Sequence, residues 1–227
     1  MEAIAASHVV AGYRPYLESI ADLTSGKELI ASGMTHEIER CRRALQRAAS
    51  GDVVALISSG DPGIYGMAGL ALELAEAENM LVPIEIIPGV TAASAAAAAL
   101  GAPLMLDFAV ISLSDLLISW EVIRRRLEAV AEADLVVALY NPRSKKRVSQ
   151  LKEAVEIFRA VRSGQTPVGI VAGAGQDDQS LVLTDLDHLL EEDVNMRTMV
   201  IIGNSCTRLS NHWMVTIRGY LDRVNQE

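Results

Sequence analysis

The chain runs to 227 residues yet has only two cysteines, Cys41 and Cys206. They stand far apart, with no Cys-x-x-Cys pair and no histidine at ligand spacing, which argues against a zinc site or a disulfide framework and leaves two ordinary buried thiols. Positive charge is also short: 20 Lys and Arg against 29 Asp and Glu give a formal net charge of −9. That balance argues against a general nucleic-acid surface, so any anionic ligand must meet locally clustered cations. Missing too is any run of about 18 strongly lipophilic residues of the kind that spans a membrane. The start, MEAIAASHVV, lacks the basic region ahead of an apolar one that marks a secretory signal, and the expected compartment is the cytoplasm. The sequence contains neither internal repeats nor a low-complexity linker.

What is there is an alternation of strand-length apolar runs with segments of helical period, the pattern of an α/β protein with a substantially parallel sheet. HVVAG at 8–12 and VVALIS at 53–58 read as strands, and PIEIIPG at 83–89 as a third. THEIERCRRALQRAASG at 35–51 reads as a helix capped by Thr35 and stopped by Gly51. A second helix is expected from Pro62 to about Asn79, and TAASAAAAALG at 91–101 gives one whose face is nearly all alanine, open to close approach by another element or a ligand. The pattern then restarts with strand FAVISLS, helix WEVIRRRLEAVAEA, strand LVVALYN and a long helix from about Ser144 to Ser163. PVGIVAGAG, LVLTDLDHLL and TMVIIGN follow, and WMVTIRGY alternates like a half-exposed antiparallel strand. Two α/β domains are expected, 1–105 and 106–227.

Four strands are read as ending in short, small, polar loops: SSGDPGIYG, PGVTAAS, LYNPRS and VAGAGQDD. Each alone equally suits an ordinary turn, but ligands of α/β sheets bind beyond the carboxyl ends of strands, and four such ends suggest one shared crevice. Gly26-Lys27 lacks the rest of a phosphate loop, and Gly173-Ala174-Gly175 runs into Gln176-Asp177-Asp178 rather than completing a dinucleotide fingerprint. An uncharged turn with one acid suits a neutral or cationic ligand, such as an adenosyl group, bound through the main chain.

Gly60-Asp61-Pro62 with Tyr65, then Pro88-Gly89-Val90-Thr91-Ala92-Ala93 leading to Gly101-Ala102-Pro103-Leu104, resembles in order and spacing the tetrapyrrole methylases that use S-adenosylmethionine in cobalamin synthesis. VVAGYRPYL, ISLSDLL, LYNPRSKKR and IIGNSCT look like the branch that methylates carbon 17 of precorrin-3B or of cobalt-precorrin-3. The resemblance implies a two-domain α/β fold, usually a homodimer, with the methyl donor held in a cleft between the domains by main-chain contacts, while the scattered histidines, like the cysteines, resemble no metal-ligand set. By position, the implied donor contacts are Ser59, Gly60, Asp61, Ile64, Tyr65, Thr91 and Ala92, with Tyr140, Asn141, Ala172, Gly173 and Thr184 across the domain boundary. It further implies a strand ending in a Gly-Pro-Gly-like loop ahead of the helix in which Met1 falls. That strand is expected either to lie upstream or to have been lost, the latter giving a non-catalytic adenosyl- or tetrapyrrole-binding remnant. Leu106-Asp107 stands where a histidine before the aspartate is expected.

The implied chemistry is methyl transfer to a ring carbon. A sulfonium is an excellent leaving group, so alignment matters most, while the accompanying ring contraction needs proton transfer and polarisation of an oxygen. The candidates for that work are Ser112, Asp115 and Asn204, with Tyr13, Ser114, Arg143 and Thr207 on the substrate. Any of them could instead be a cap or a satisfied turn residue. Arg143, Lys145, Lys146 and Arg147 are expected to begin a helix, with Arg143 preferred for the substrate's carboxylates, whereas Arg124, Arg125 and Arg126 read as a solvated face. Of the histidines only His36 is kept as a cleft residue. A methylase acting at another precorrin position is the remaining alternative.

Overall fold

The computed structural model describes residues 1–221. By its internal contacts the chain divides after Thr91, ahead of the alanine-rich helix, whereas a division near 105 was expected.

The first unit is built on a three-stranded parallel sheet in the order β2-β1-β3, with β1 at Val9–Tyr13, β2 at Glu28–Ser32 and β3 at Val54–Leu56. The central strand is apolar and buried along most of its length, as a strand covered on both faces must be. Helices α1 (Glu2–Ala6), α2 (Arg14–Ser19), α3 (Glu37–Ala49) and α4 (Ala68–Ala77) complete the unit. Cys41, Ala44 and Leu45 form the buried stripe of α3, with Ala44 against β1 and β2 and with Cys41 and Leu45 against Met67 and Ala71. Thr35 does not cap α3. Its backbone is left-handed (φ 65) and its hydroxyl donates to the Met34 carbonyl, so His36 takes the cap position without a side-chain bond. α4 starts at Ala68 rather than at Pro62, because residues 61–66 are consumed by turns that include a left-handed Tyr65 (φ 54).

Two expectations for this unit fail. Residues 83–89 form no strand: a strand exists only where a neighbour takes its ladder bonds, and none among the described residues does, so Ile84, Ile86 and Ile87 stand exposed. Conversely β2 was not anticipated, and Ile30 is its one buried residue.

The second unit carries a five-stranded sheet ordered β5-β6-β9-β7-β8. Its strands are β5 (Phe108–Ser112), β6 (Val136–Tyr140), β7 (Pro167–Ala172), β8 (Ser180–Asp185) and β9 (Thr198–Ile202). Only β5 and β6 run parallel; the other three pairings are antiparallel, so the sheet is mixed rather than substantially parallel. The loop between β7 and β8 is too short for the crossover that a parallel pairing requires. Alternate residues feed two cores. Val137, Leu139, Val168, Ile170, Val200 and Ile202 face helices α6 (Trp120–Glu132) and α7 (Ser149–Arg159). Val136, Ala138, Val171, Met199 and Ile201 face helix α5 (Ala92–Leu100). The alanines of α5 let it lie close against the sheet: a Cβ added at Gly169 would sit 2.5 Å from the Leu100 side chain.

A small second sheet pairs β10 (Thr207–Ser210) with β11 (Trp213–Thr216), antiparallel as expected, and β11 with the short β4 (Gly101–Ala102). α7 is shorter than the expected 144–163, since Ser144 and Arg147 close a turn on each other ahead of it. Cys41 is buried as expected, but Cys206 is exposed.

Candidate active site

In the first unit the carboxyl end of β3 delivers the chain into Ser58–Met67, where one carboxylate organises the loop. Asp61 accepts the Gly63 N–H at 2.8 Å on one oxygen and the Gly89 N–H at 3.0 Å on the other. The Gly89 bond first, and the Gly63 bond second, hold this carboxyl below the usual aspartate range. Asp61 thereby ties the Gly-Asp-Pro-Gly turn to the Pro-Gly-Val segment 28 positions later. The two backbones nearly touch: a Cβ on Gly89 would lie 2.1 Å from the Gly60 carbonyl oxygen. Ser58 accepts the Met67 N–H at 3.0 Å and closes the far end of the loop. With both oxygens of Asp61 engaged, what the loop offers outward is main chain at Ser59 and Gly60 and the exposed side chains of Ile64 and Tyr65. Thr91 ends this unit and Ala92 is the first residue of α5. Tyr13, closing β1, packs edge-on against Tyr16 with ring centroids 5.1 Å apart, and His36 is exposed.

In the second unit the carboxyl ends of the parallel pair β5 and β6 bring four candidates together. Ser112 accepts the Asn141 side-chain N–H at 3.0 Å and the Ser114 backbone N–H at 3.2 Å. Asn141 is left-handed (φ 50), and Arg147 donates to its carbonyl at 2.8 Å. The Tyr140 hydroxyl accepts the Ala93 N–H at 3.0 Å and so anchors the end of β6 to the start of α5. Asp115 is exposed and accepts from Gln150 at 2.9 Å. Arg143, Lys145 and Lys146 are exposed in the loop before α7, not on it; Arg147, from the same run, is the buried one. Arg124, Arg125 and Arg126 are exposed on α6.

Five candidates lie apart from that cluster. Ala172 ends β7, and Gly173 (φ 60), next after it, donates its N–H to the Arg197 carbonyl. The Arg197 guanidinium grips Asp178 through two bonds, of 2.8 and 2.9 Å, and so closes the loop that Gly173 opens. Thr184 does not join them: it pairs with Val168, at the other end of the β7–β8 ladder from Ala172, a separation of roughly 13 Å at strand rise. Asn204 and Thr207 are absorbed by a turn. The Asn204 amide oxygen accepts from the Cys206 N–H and the Thr207 hydroxyl, while its nitrogen donates to the Asp134 carbonyl. The Thr207 and Thr216 hydroxyls lie 2.8 Å apart, although Thr207 also borders an open cavity of about 490 Å³ flanked by Arg208 and Arg218.

The family profile of the tetrapyrrole (corrin/porphyrin) methylases matches residues 1–190. This chain belongs to the tetrapyrrole methylase family. Among its relatives is the Salmonella typhimurium protein named "Probable cobalt-factor III C(17)-methyltransferase", 48% identical over 97% of this chain and 91% of that one. The Priestia megaterium "Cobalt-factor III methyltransferase" is 44% identical over 96% of this chain but is longer, so that the match covers 41% of it. The crystal structure of the methyltransferase CobJ is similar with a TM-score of 0.87 and 36% identity, over 95% of this chain and 91% of that one. The chain is thus a methyltransferase with the α/β methylase fold. Among its described residues no helix is long and apolar enough to cross a membrane.

For a tetrapyrrole methylase, sequence reasoning missed three organising residues. Ser58 carried no motif beyond its place at a strand end. Arg197 is 24 positions from Gly173 and meets it only through the β7–β9 pairing. Arg147 was passed over in favour of Arg143, because nothing within a run of four cations marks which one turns inward.

Proposed function

We propose that this chain is an S-adenosylmethionine-dependent C-methyltransferase of cobalamin synthesis, acting on ring carbon 17 of a cobalt-containing precorrin-3-type macrocycle with contraction of the ring. The observation that carries the reading is the pairing of the Gly60-Asp61-Pro62 turn with Gly89 through Asp61, in a chain 48% identical to a relative named for that step. The loop fits the donor: it is uncharged apart from one carboxylate, which is turned onto backbone amides, and it lacks the lysine that a phosphate ligand would call for.

S-adenosylmethionine supplies an electrophilic methyl group on a sulfonium. In the first unit the main chain at Gly60 and Asp61, with Ser59, Ile64, Tyr65 and Thr91, holds the adenosyl part, and Asp61 acts by fixing the loop rather than by proton transfer. Within the second unit the candidates are Ala92, Tyr140, Asn141, Ala172 and Gly173. Ser112, polarised by the Asn141 amide, and Asp115 are the groups able to handle the proton and the oxygen of ring contraction. Ser114 and Arg143, within the second unit, are the candidates for the macrocycle, whose acetate and propionate side chains make it a polycarboxylate. The protein acts as a homodimer in the cytoplasm.

The test combines calorimetric titration with S-adenosylhomocysteine and methyl transfer from labelled S-adenosylmethionine to cobalt-factor III. About one donor site per chain and one methyl incorporated at carbon 17 are expected. Donor binding without incorporation into this macrocycle or into metal-free precorrin-3B would leave a binding remnant and refute the proposal.

A further inference from the structure

We infer that Arg147 is a carboxylate-binding residue, holding one acidic side chain of the macrocycle at the carboxyl ends of β5 and β6. This rests on the methyltransferase reading for the identity of the ligand, but its grounds are separate. Arg147 is only 9% exposed, and its guanidinium makes no ion pair among the described residues. Its Nε has no hydrogen-bond partner at all. Its remaining contacts are neutral: the Asn141 carbonyl at 2.8 Å and the Ser114 hydroxyl at a long 3.4 Å. A buried guanidinium left without an anion is costly, because neutral acceptors recover only part of the hydration it gave up.

Burial alone would not single it out. Arg162 is also buried and its Nε too lacks a hydrogen-bond partner, but its other nitrogens donate to four carbonyls and Asp134 stands 3.7 Å from that Nε, so its charge has an anion in the fold. Arg40, in the first unit, likewise has an unpartnered Nε, but it is buried against Ser32, Gly33 and Met67, none of which is a candidate ligand contact. Arg147 differs in place. It touches two candidate site residues, Ser114 and Asn141, and lies where adjacent parallel strands end, the usual position for a ligand in such sheets. A carboxylate there would accept from the vacant Nε and from Nη2, whose N–H bonds run side by side along one edge of the guanidinium, in the two-pronged geometry that guanidinium favours; Nη2 keeps its other N–H for the Asn141 carbonyl, and the Ser114 hydroxyl sits on Nη1.

The test titrates the folded full chain with cobalt-factor III, as the free acid and with its acid side chains amidated, and follows the macrocycle's absorbance. R147Q should weaken binding of the acid at least tenfold, while amidated macrocycle binds the parent and R147Q alike. R147K, which keeps the charge but not the fork, should fall between them. S-adenosylhomocysteine affinity should stay within threefold of the parent. Equal binding of the acid by parent and R147Q would overturn the inference. So would loss of donor affinity in step with macrocycle affinity, which would mean that Arg147 merely holds Asn141. Should R147Q not fold, S114A must weaken the acid more than the amide, or the inference fails. A parent chain that binds macrocycle but transfers no methyl group would refute the methyltransferase reading and leave Arg147 standing.

Discussion

A single methyl group placed on Gly89 should separate the donor loop from the segment that closes it. The added Cβ would lie 2.1 Å from the Gly60 carbonyl oxygen, about 0.9 Å short of the 3.0 Å that real Cβ contacts keep. The obstructing atom belongs to the backbone, so no rotamer change can relieve it, and the Pro88–Val90 stretch must shift away from the turn. The bond from the Gly89 N–H to Asp61, now 3.0 Å, breaks under a displacement of that size. Overpacking of this kind costs roughly 1–3 kcal/mol. If the donor has to draw the two segments together again, the same energy reappears as a loss of about 5- to 140-fold in affinity. G89A should therefore bind S-adenosylhomocysteine at least fivefold more weakly by calorimetry and melt several degrees lower. The control is G69A in α4, where an added Cβ meets nothing within 4 Å. There alanine improves helix propensity and should leave donor binding unchanged, with stability equal or up to about 1 kcal/mol higher. If G89A matched G69A in both measurements, the loop-closure argument would be wrong.

Acid should also open this loop. The Asp61 carboxyl is held below the ordinary aspartate range by the Gly89 and Gly63 N–H groups, so its contribution is complete above the unfolded-state value and is lost as pH falls through the lower folded-state value. Donor affinity of the parent should be flat near neutrality and decline below about pH 4; D61N should bind more weakly at neutral pH and lack that decline, and an identical acid limb in D61N would sink the assignment. R162A should lower stability by roughly 3–5 kcal/mol in a urea titration. That side chain is only 4% exposed, stacks over Phe158 and satisfies carbonyls at the end of α6, at Leu135 and at Gly203, so a loss under 1 kcal/mol would contradict the account.

The strands most easily read, β1, β6, β7 and β9, are continuous apolar runs because both of their faces are covered. β2 escaped notice because it buries so little. Residues 83–89 were misread for the complementary reason: the β pattern is present, but a ladder needs a second strand, and pattern in one segment says nothing about its neighbours. Strand direction was misjudged on the same ground. An apolar run is equally suited to either orientation, and it was the β7–β8 connection and the return of β9 between β6 and β7 that made the sheet mixed.

For the site, local chemistry determined that a turn of Gly60, Asp61 and Pro62 after a buried strand would present main chain rather than a charged group, and the order of the following motifs led to the methylase family. Both follow from residue type and spacing within a few positions of each other. Only tertiary structure decided that Asp61 would spend its carboxylate on Gly89, that Thr184 would stand a ladder's length from Ala172, that Asn204 and Thr207 would turn inward, and that Arg147 rather than Arg143 would be buried. Each of those outcomes depends on which backbone arrives from a distant part of the chain, and on whether it brings a donor, an acceptor or an apolar wall; a side chain's own identity does not contain that information.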